Sequence, residues 1–268
     1  MKLHNMIHAA LLGVVALGMF SCSNIPEDER LIPVKIAKVN RAVLIEDFTG
    51  QRCLNCPDAT DEIETLKEQY GDTAIIAVGI HSGPLSFEGS KTQVGLKTAT
   101  GQEYYDYWKV DHQPMGVINR NGGALDYQAW NAKVYQELQK PATLSIKLDN
   151  AYDESTRQLT IDTRLQSVNG AGEITGKLQL WLIEDDIVAI QKMPDNSTNK
   201  DYHHQHVFRA AVNGTWGEDV RATEEDALDK TASYTIPAGW NPDNVSVVAF
   251  VYDDSGVLQV VKKAIKAK

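Results

Sequence analysis

The stretch that most constrains the fold is residues 43–57, which read VLIEDFTGQRCLNCP. An apolar run leads to a glycine turn, and Cys53 and Cys56 then follow at the predicted start of a helix. A cysteine in the first turn of a helix faces unsatisfied backbone N–H groups and the positive end of the helix dipole, which favour thiolate over thiol. Two intervening residues also bring the sulfurs within disulfide distance. The stretch is typical of a thiol–disulfide site, with Cys53 as nucleophile and Cys56 as resolving thiol.

Two other interpretations of the cysteine pair stay open. The pair can be half of a zinc site completed by His81 and His112, although such sites usually need four ligands and no second CxxC follows. It can also be a permanent structural disulfide. A disulfide that closes so short a loop removes little chain entropy and stabilises the fold little, so the redox interpretation is favoured.

The charge of the chain argues against one class of partner. Its 268 residues carry a formal net charge of −10, whereas a nucleic-acid groove needs a basic face. Clustered lysines occur only near the C-terminus, where they are typical of a solvated tail. The length and the 43% hydrophobic content predict a globular chain of two domains.

Residues 1–21 have the layout of a secretory signal. Lys2 precedes an apolar run, residues 9–20, that is too short to span a bilayer as a helix. The small Ser21 and then Cys22 follow, which predicts cleavage before Cys22 and lipidation of its thiol. The alternative is a secreted protein with a spare cysteine, which an oxidising compartment disfavours. Residues 22–33 are polar and acidic and are predicted to be a tether.

A carboxylate is predicted beneath the cysteines. Asp47 lies on the strand that leads to Cys53, where burial would raise its pKa and where it can take or return the proton of Cys56. Glu46 should point to the opposite face of the same strand. The alternation of side chains leaves open which of the two carboxylates faces inward.

Two further residues are predicted to tune the thiols. Residues 73–80, TAIIAVGI, form the next strand, so the strand–helix–strand unit implies a parallel pair with a right-handed crossover. Because parallel strands end at the same edge of a sheet, His81 should lie near Cys53. A hydrogen-bonded turn histidine is the alternative. Arg52 partly offsets the acidic side chains of the first helical turns.

A proline precedes the next strand, in the stretch DHQPMGVINR, residues 111–120. We expect a cis peptide bond at Gln113 and Pro114, opposite the cysteines. There Pro114 would block metal access and offer its neighbour's backbone to an extended substrate segment. A helix over residues 126–140 then ends the first predicted domain, residues 34–141.

The hydrophobic period changes to two from residue 142 onward. Regular short strands with polar turns predict an immunoglobulin-like sandwich over residues 142–268. Within it, His204 and His206 share a strand face and can hold a metal. Without carboxylates or cysteines at ligand spacing, however, a structural or interface role is favoured. No metal or other cofactor is predicted.

The order strand, CxxC, helix, strand, insertion, proline, strand, helix resembles a thioredoxin-type fold, matched at Asp47, Cys53, Cys56 and Pro114. More narrowly, four segments resemble the twenty-eight-kilodalton outer-membrane lipoprotein family, whose members pair such a domain with a C-terminal β domain. These segments are EDFTGQRCLNCP, GIHSG, PMGVINR and HQHVFRAAVNGTWG. The resemblance implies outer-membrane attachment. Leu54 and Asn55 between the cysteines, and Met115 after the proline, depart from the thioredoxin pattern, so redox potential and partner choice stay open.

The predicted fold is therefore an α/β thioredoxin-like N-terminal domain followed by an all-β immunoglobulin-like sandwich. The first functional hypothesis is a thiol–disulfide oxidoreductase-like lipoprotein of the outer membrane, periplasmic or surface-exposed, that acts on protein disulfides or dithiols. The second is a cell-surface binding or accessory lipoprotein that recognises a protein partner and carries an idle pair. An enzyme predicts a lowered Cys53 pKa; a platform predicts a buried or hard-to-reduce pair.

Overall fold

A computed structural model of the protein describes residues 40–266. The predicted signal, the tether and Cys22 lie outside the described residues. The α-helices in the described range are α1, α2 and α3, at Cys56–Tyr70, Ala99–Tyr107 and Trp130–Leu138. None of these helices combines the length and the apolar character that a membrane crossing requires.

Strands occupy most of the remainder. The first four are β1 to β4, at Val43–Thr49, Ile75–His81, Met115–Ile118 and Leu125–Asp126. The next five are β5 to β9, at Leu144–Asp153, Gln158–Ser167, Ile174–Glu184, Ile187–Lys192 and Thr198–His204. The last five are β10 to β14, at Val207–Ala211, Glu218–Ala222, Leu228–Thr235, Val245–Asp253 and Gly256–Ala264.

Helix α1 begins at the cysteine pair and packs on the sheet through one stripe. Pro57 lies in its first turn, where a proline's missing N–H costs no helical hydrogen bond. Ala59, Ile63 and Leu66 recur at helical spacing and are fully buried. Gly71 ends the helix with a positive φ of 95°, a conformation that glycine adopts without strain. The local sequence thus places Cys56 at the N-terminus of a firmly packed helix.

Strands β1 and β2 are parallel, and their ends meet at one edge. The register pairs Asp47 with Gly79 and Thr49 with His81. Every residue of both strands is buried, because the sheet is covered on both faces. β3 runs antiparallel to β1 on its other side. Gly116 of β3 must lack a side chain, since a Cβ there would lie 2.4 Å from the Trp130 ring.

One sheet runs through both halves of the described chain. Its order is β14-β13-β7-β10-β2-β1-β3-β4, with β11 beside β7. Strand β10 makes the link, since Val207 pairs with Gly79 of β2 in parallel while β10 lies antiparallel to β7. Strand is the commonest regular structure in residues 40–266, at 44% against 17% helix.

The predicted fold class is therefore wrong. An α/β thioredoxin-like domain followed by an all-β immunoglobulin-like sandwich requires two sheets, each built from one half of the chain. Strands β7, β10, β13 and β14 instead extend the sheet that contains β1 and β2. The pattern of apolar residues identifies each of these strands, but it carries no information on which strands pair.

The large sheet buries side chains on both faces. On one face, Phe48, Trp181 and Phe250 pack around Tyr104 of α2. The opposite face is covered in two parts. Helices α1 and α3 cover β1 and β2, and a three-stranded sheet of order β12-β6-β5 covers β7 and β13. Strands β8 and β9 form a separate hairpin.

Candidate functional site

Cys53 and Cys56 form a disulfide in the structure. Cys53 lies in the turn after β1, where its N–H donates to the carbonyl of Gly50 over 3.0 Å. Cys56 is the first residue of α1. The two residues are only 1% and 2% exposed. The disulfide is therefore covered.

The β8–β9 hairpin provides one part of this cover. The side-chain amide of Gln191 donates to the carbonyl of Cys53 over 2.8 Å and to that of Gly50 over 3.4 Å. The backbone N–H of Lys192 donates to the carbonyl of Gln51 over 2.9 Å. These hydrogen bonds tie a distant hairpin to the backbone of the cysteine turn.

Residues 85–96 provide the other part of the cover. The Arg52 N–H donates to the Leu85 carbonyl over 2.9 Å, and the Gln51 side chain accepts from the Leu96 N–H over 3.0 Å. Gly50 passes so close to Leu85 that a Cβ would lie 2.8 Å from its carbonyl group. These contacts hold residues 85–96 against the cysteine turn, in which the two cysteines have almost no exposed surface.

A small polar cavity lies beside Cys56. We name it the histidine chamber; its lining includes Asp47, Cys56, His81, His204 and His206. Its volume of about 20 Å³ has room for about one water molecule. Three buried polar atoms, Asp47 Oδ1, His81 Nδ1 and His206 Nδ1, have no hydrogen-bond partner within residues 40–266. The chamber concentrates proton-carrying groups beside Cys56.

Burial keeps the groups of the chamber uncharged at neutral pH. It raises the pKa of Asp47 to about 8, so the carboxyl is mostly protonated. Burial lowers the pKa of His204 to about 4. The pKa values of His81 and His206 are also lowered well below the ordinary value, first by burial and then by repulsion from neighbouring basic groups. For His81 these groups are His204, His206 and Arg209, and for His206 they are led by Lys67 and Lys262.

Pro114 and Arg52, the two other predicted site residues, lie on segments that contact the end of β1 or the cover. The bond between Gln113 and Pro114 is cis, and Pro114 is buried. The Gln113 side chain ties this loop to the end of β1, because it donates to the Thr49 carbonyl over 2.6 Å. Arg52 is exposed, with its guanidinium carbon 4.9 Å from the centre of the Phe87 ring. Arg52 therefore contacts the covering segment.

The two histidines of the zinc interpretation have different surroundings. His112 is exposed and lies between the carboxylates of Asp111 and Asp126, at 2.6 and 2.7 Å. His81 is buried in the histidine chamber. No group of three or more His, Cys, Asp or Glu side chains between residues 40 and 266 is arranged to hold a metal ion.

Sequence reasoning missed the contribution of the second half of the chain. His204 and His206 were expected to have a structural or interface role, yet both line the chamber. The His204 ring meets that of His81 edge to face, with ring centres 5.1 Å apart. Nothing in the sequence around Gln191 indicated that it contacts the cysteine turn. The histidine-rich stretch at residues 202–206 was the only indication, and the pairing of β10 with β2 brings it to the cysteines.

The chain is similar to outer-membrane proteins. A sequence profile of the family described as "Outer membrane protein Omp28" matches residues 101–268. The structure of HBP35 of Porphyromonas gingivalis superposes with a TM-score of 0.66 at 15% identity, over 85% of this chain and 76% of that one. This likeness concerns the fold alone.

A domain of the outer membrane lipoprotein Omp28 from Porphyromonas gingivalis is 27% identical. The match covers 47% of this chain and 89% of that one, with a TM-score of 0.34, which is too low to support an argument about the fold. No curated protein sequence matches the chain.

Proposed function

The chain belongs to the Omp28 family of outer membrane proteins, and from that premise we propose that it is a lipid-anchored protein whose Cys53 and Cys56 exchange disulfides with protein substrates. The family membership confirms the resemblance drawn from the sequence. The redox activity rests on one observation, which is the position of Asp47. Its carboxyl is buried without a partner for Oδ1 and lines the same cavity as Cys56.

Such a carboxyl is costly to the fold. Burying a polar group without a hydrogen-bond partner destabilises a protein by roughly 1–3 kcal/mol. No protein group within residues 40–266 pairs with Oδ1, and strongly perturbed carboxyls of this kind concentrate at functional sites. A pKa of about 8 also lies close to that of an ordinary thiol, so a proton can pass between Asp47 and Cys56 in either direction.

The exchange proceeds in two displacements from the observed disulfide. A thiolate of a substrate dithiol attacks the sulfur of Cys53, the bond between the cysteines breaks, and Cys56 leaves as a thiolate that takes the proton of Asp47. The second substrate thiolate then attacks the substrate sulfur of the mixed disulfide, and Cys53 leaves as a thiolate. The substrate is oxidised to a disulfide, and the cysteine pair is reduced by two electrons. The reverse sequence reduces a substrate disulfide.

Two other predicted residues have roles in this scheme. Pro114 would shape the groove in which the substrate backbone lies, and Arg52 would stabilise the Cys53 thiolate once the covering segment moves. The three chamber histidines line the same cavity as Asp47 and Cys56 as neutral groups.

A second candidate function is a surface binding protein with an idle disulfide. The observation that favours it is the near-complete burial of both cysteines beneath two hydrogen-bonded segments. In that case the pair would be hard to reduce and would capture no substrate.

The decisive experiment is the reduction potential of the pair in the full-length protein, combined with a trapping variant. A potential of roughly −270 to −120 mV supports exchange, and a pair that stays oxidised below about −300 mV leaves the binding function. Cys56→Ser should accumulate mixed disulfides at Cys53, because the resolving thiol is absent. Cys53→Ser is the matched control and should trap nothing.

Membrane attachment is tested separately, through Cys22. Cys22→Ser should shift the protein from the membrane fraction to the soluble periplasmic fraction, since the lipid can no longer be attached. Retention of this variant in the outer membrane would exclude Cys22 as the anchor. The experiment is independent of the cysteine pair, so either proposal can fail alone.

A further inference from the structure

A second concave surface lies on the face of β1 that is opposite to the histidine chamber. We name it the aromatic cleft, after the rings of Tyr107, Trp108, Trp216 and Tyr252, which line it together with Arg120. Its volume is about 1020 Å³, which is at the upper end of the range for small-molecule sites. None of its lining residues lines the histidine chamber.

Arg120 is the unusual group in this cleft. Its side chain is 3% exposed, and its Nε donates to Oε1 of Glu46 over 2.7 Å. The two terminal nitrogens, Nη1 and Nη2, have no hydrogen-bond partner in the described part of the chain. Buried donors without acceptors are rare in folded proteins. Both nitrogens are buried at the base of the cleft, so a ligand oxygen accepts a hydrogen bond from them once the surrounding rings shift.

Aromatic rings surround this guanidinium. Its central carbon lies 4.3 Å from the centre of the Tyr252 ring and 5.7 Å from that of Trp216. Burial raises the pKa of Tyr252, and the Arg120 charge opposes that increase. The Tyr252 hydroxyl donates to the Trp216 carbonyl over 2.7 Å. Its oxygen also lies close to Arg120, but Nη1 and Nη2 make no hydrogen bond of ordinary geometry within residues 40–266. The rings thus surround the guanidinium and leave both terminal nitrogens short of an acceptor.

The charges around the cleft disfavour an anionic ligand. Glu46 already balances Arg120, and Lys177 is paired with Asp219 at 2.7 Å. Asp253 and Asp254 also line the cleft, so carboxylates outnumber cations. The oxygen that accepts from Arg120 should belong to a neutral group such as a hydroxyl or an ether.

The outer wall of the cleft offers aromatic surface to such a ligand. Tyr107 is 60% exposed, and its ring centre lies 4.5 Å from that of Trp216. Large exposed rings beside polar groups are suited to ligands with one apolar and one polar side. The C–H face of a sugar ring can pack on these rings while its hydroxyls donate to carboxylates and accept from Arg120.

We propose that the aromatic cleft binds a neutral carbohydrate through Arg120, Tyr107 and Trp216. This site is independent of disulfide exchange, and it holds whether or not the cysteine pair is active. If the pair is idle, the cleft gives the second candidate function its ligand class.

The test titrates the full-length protein with maltotriose, cellotriose and triacetylchitotriose, followed by calorimetry and tryptophan fluorescence. We expect at least one of them to bind with a Kd below about 1 mM. Tyr107→Ala should weaken that binding by roughly tenfold, because a stacking ring is lost. Tyr135→Ala is the matched control, since Tyr135 is 54% exposed on α3 and outside the cleft. Its affinity should be unchanged.

Three results would overturn the proposal. The first is the absence of binding by all three sugars up to about 10 mM. The second is a Tyr107→Ala protein that binds as well as Tyr135→Ala. The third is preference for another ligand class, tested with trigalacturonic acid as an anionic sugar and with a short aromatic peptide.

Discussion

Glu46 and Asp47 are neighbours on β1 with equal burial and opposite surroundings. They are 0% and 1% exposed, and the alternation of the strand sends them to opposite faces of the sheet. Glu46 accepts a hydrogen bond from Arg120 among aromatic rings, whereas Asp47 lines a polar cavity beneath the disulfide without a cation. Burial raises the pKa of both carboxyls, but only at Glu46 does a positive charge oppose that increase.

This difference shows that burial alone does not assign a role to a carboxyl. Glu46 belongs to a buried ion pair, and removing either partner leaves the other charge buried without compensation. Asp47 is held in its neutral form, available to give up a proton. A substitution on one face of β1 leaves the other face intact, so the structural carboxyl and the chemical one can be tested separately.

Arg120→Met has the largest expected effect. It leaves Glu46 buried without its partner, so the free energy of unfolding should fall by about 3–5 kcal/mol at neutral pH. Urea denaturation measures the loss. The double variant Arg120→Met with Glu46→Gln should recover part of it, because no charge is then buried. A double variant that is no more stable than the single one would contradict the ion-pair interpretation.

Asp47→Asn should make the stability of the protein less dependent on pH. The folded pKa of Asp47 is raised to about 8, so the unfolded chain ionises first, and wild-type stability falls as pH rises from about 4 to 8. The variant cannot ionise and should lose roughly 3 kcal/mol less than the wild type between pH 5 and pH 7. Urea denaturation at a series of pH values tests this. Equal slopes for the variant and the wild type would show that Asp47 is not held neutral.

His204→Gln tests how the chamber affects stability at acidic pH. Because the folded pKa of His204 is lowered to about 4, its contribution is present above about pH 6.5 and is lost as pH falls towards 4. The variant should therefore lose roughly 2 kcal/mol less stability than the wild type between pH 7 and 4.5. His203→Gln is the matched control, since His203 is exposed on the same strand. It should leave the acid sensitivity of the wild type unchanged.

Gln191→Ala has the smallest expected effect on stability, about 1 kcal/mol, because it removes one tie between the hairpin and the cysteine turn. The disulfide should be reduced by dithiothreitol roughly fivefold faster, since opening of the cover then costs less. Gln166→Ala, which removes an exposed side-chain hydrogen bond to Glu224, is the control. Unchanged reduction kinetics in the Gln191 variant would mean that the hairpin does not gate access.

The local pattern was sufficient to predict one part of the site. The apolar runs around β1 and β2, with a helix between them, predicted a parallel pair, and the structure has that pair in register. The same argument placed Asp47 and His81 at the edge that carries the cysteines, where both line one cavity with Cys56. These relations follow from short-range geometry, because strand, turn and helix directions are determined within about forty residues.

The sequence by itself determined the cysteine pair, the alternation of Glu46 and Asp47 and most of the strands. Only the tertiary structure decided the fold class and the completion of the site. Strand β10 inserts between β2 and β7, so His204, His206 and Gln191 reach the cysteines from more than 130 positions away. Hydrophobic period identifies a strand and its buried faces, but strand pairing depends on competition among all edges of the folded chain.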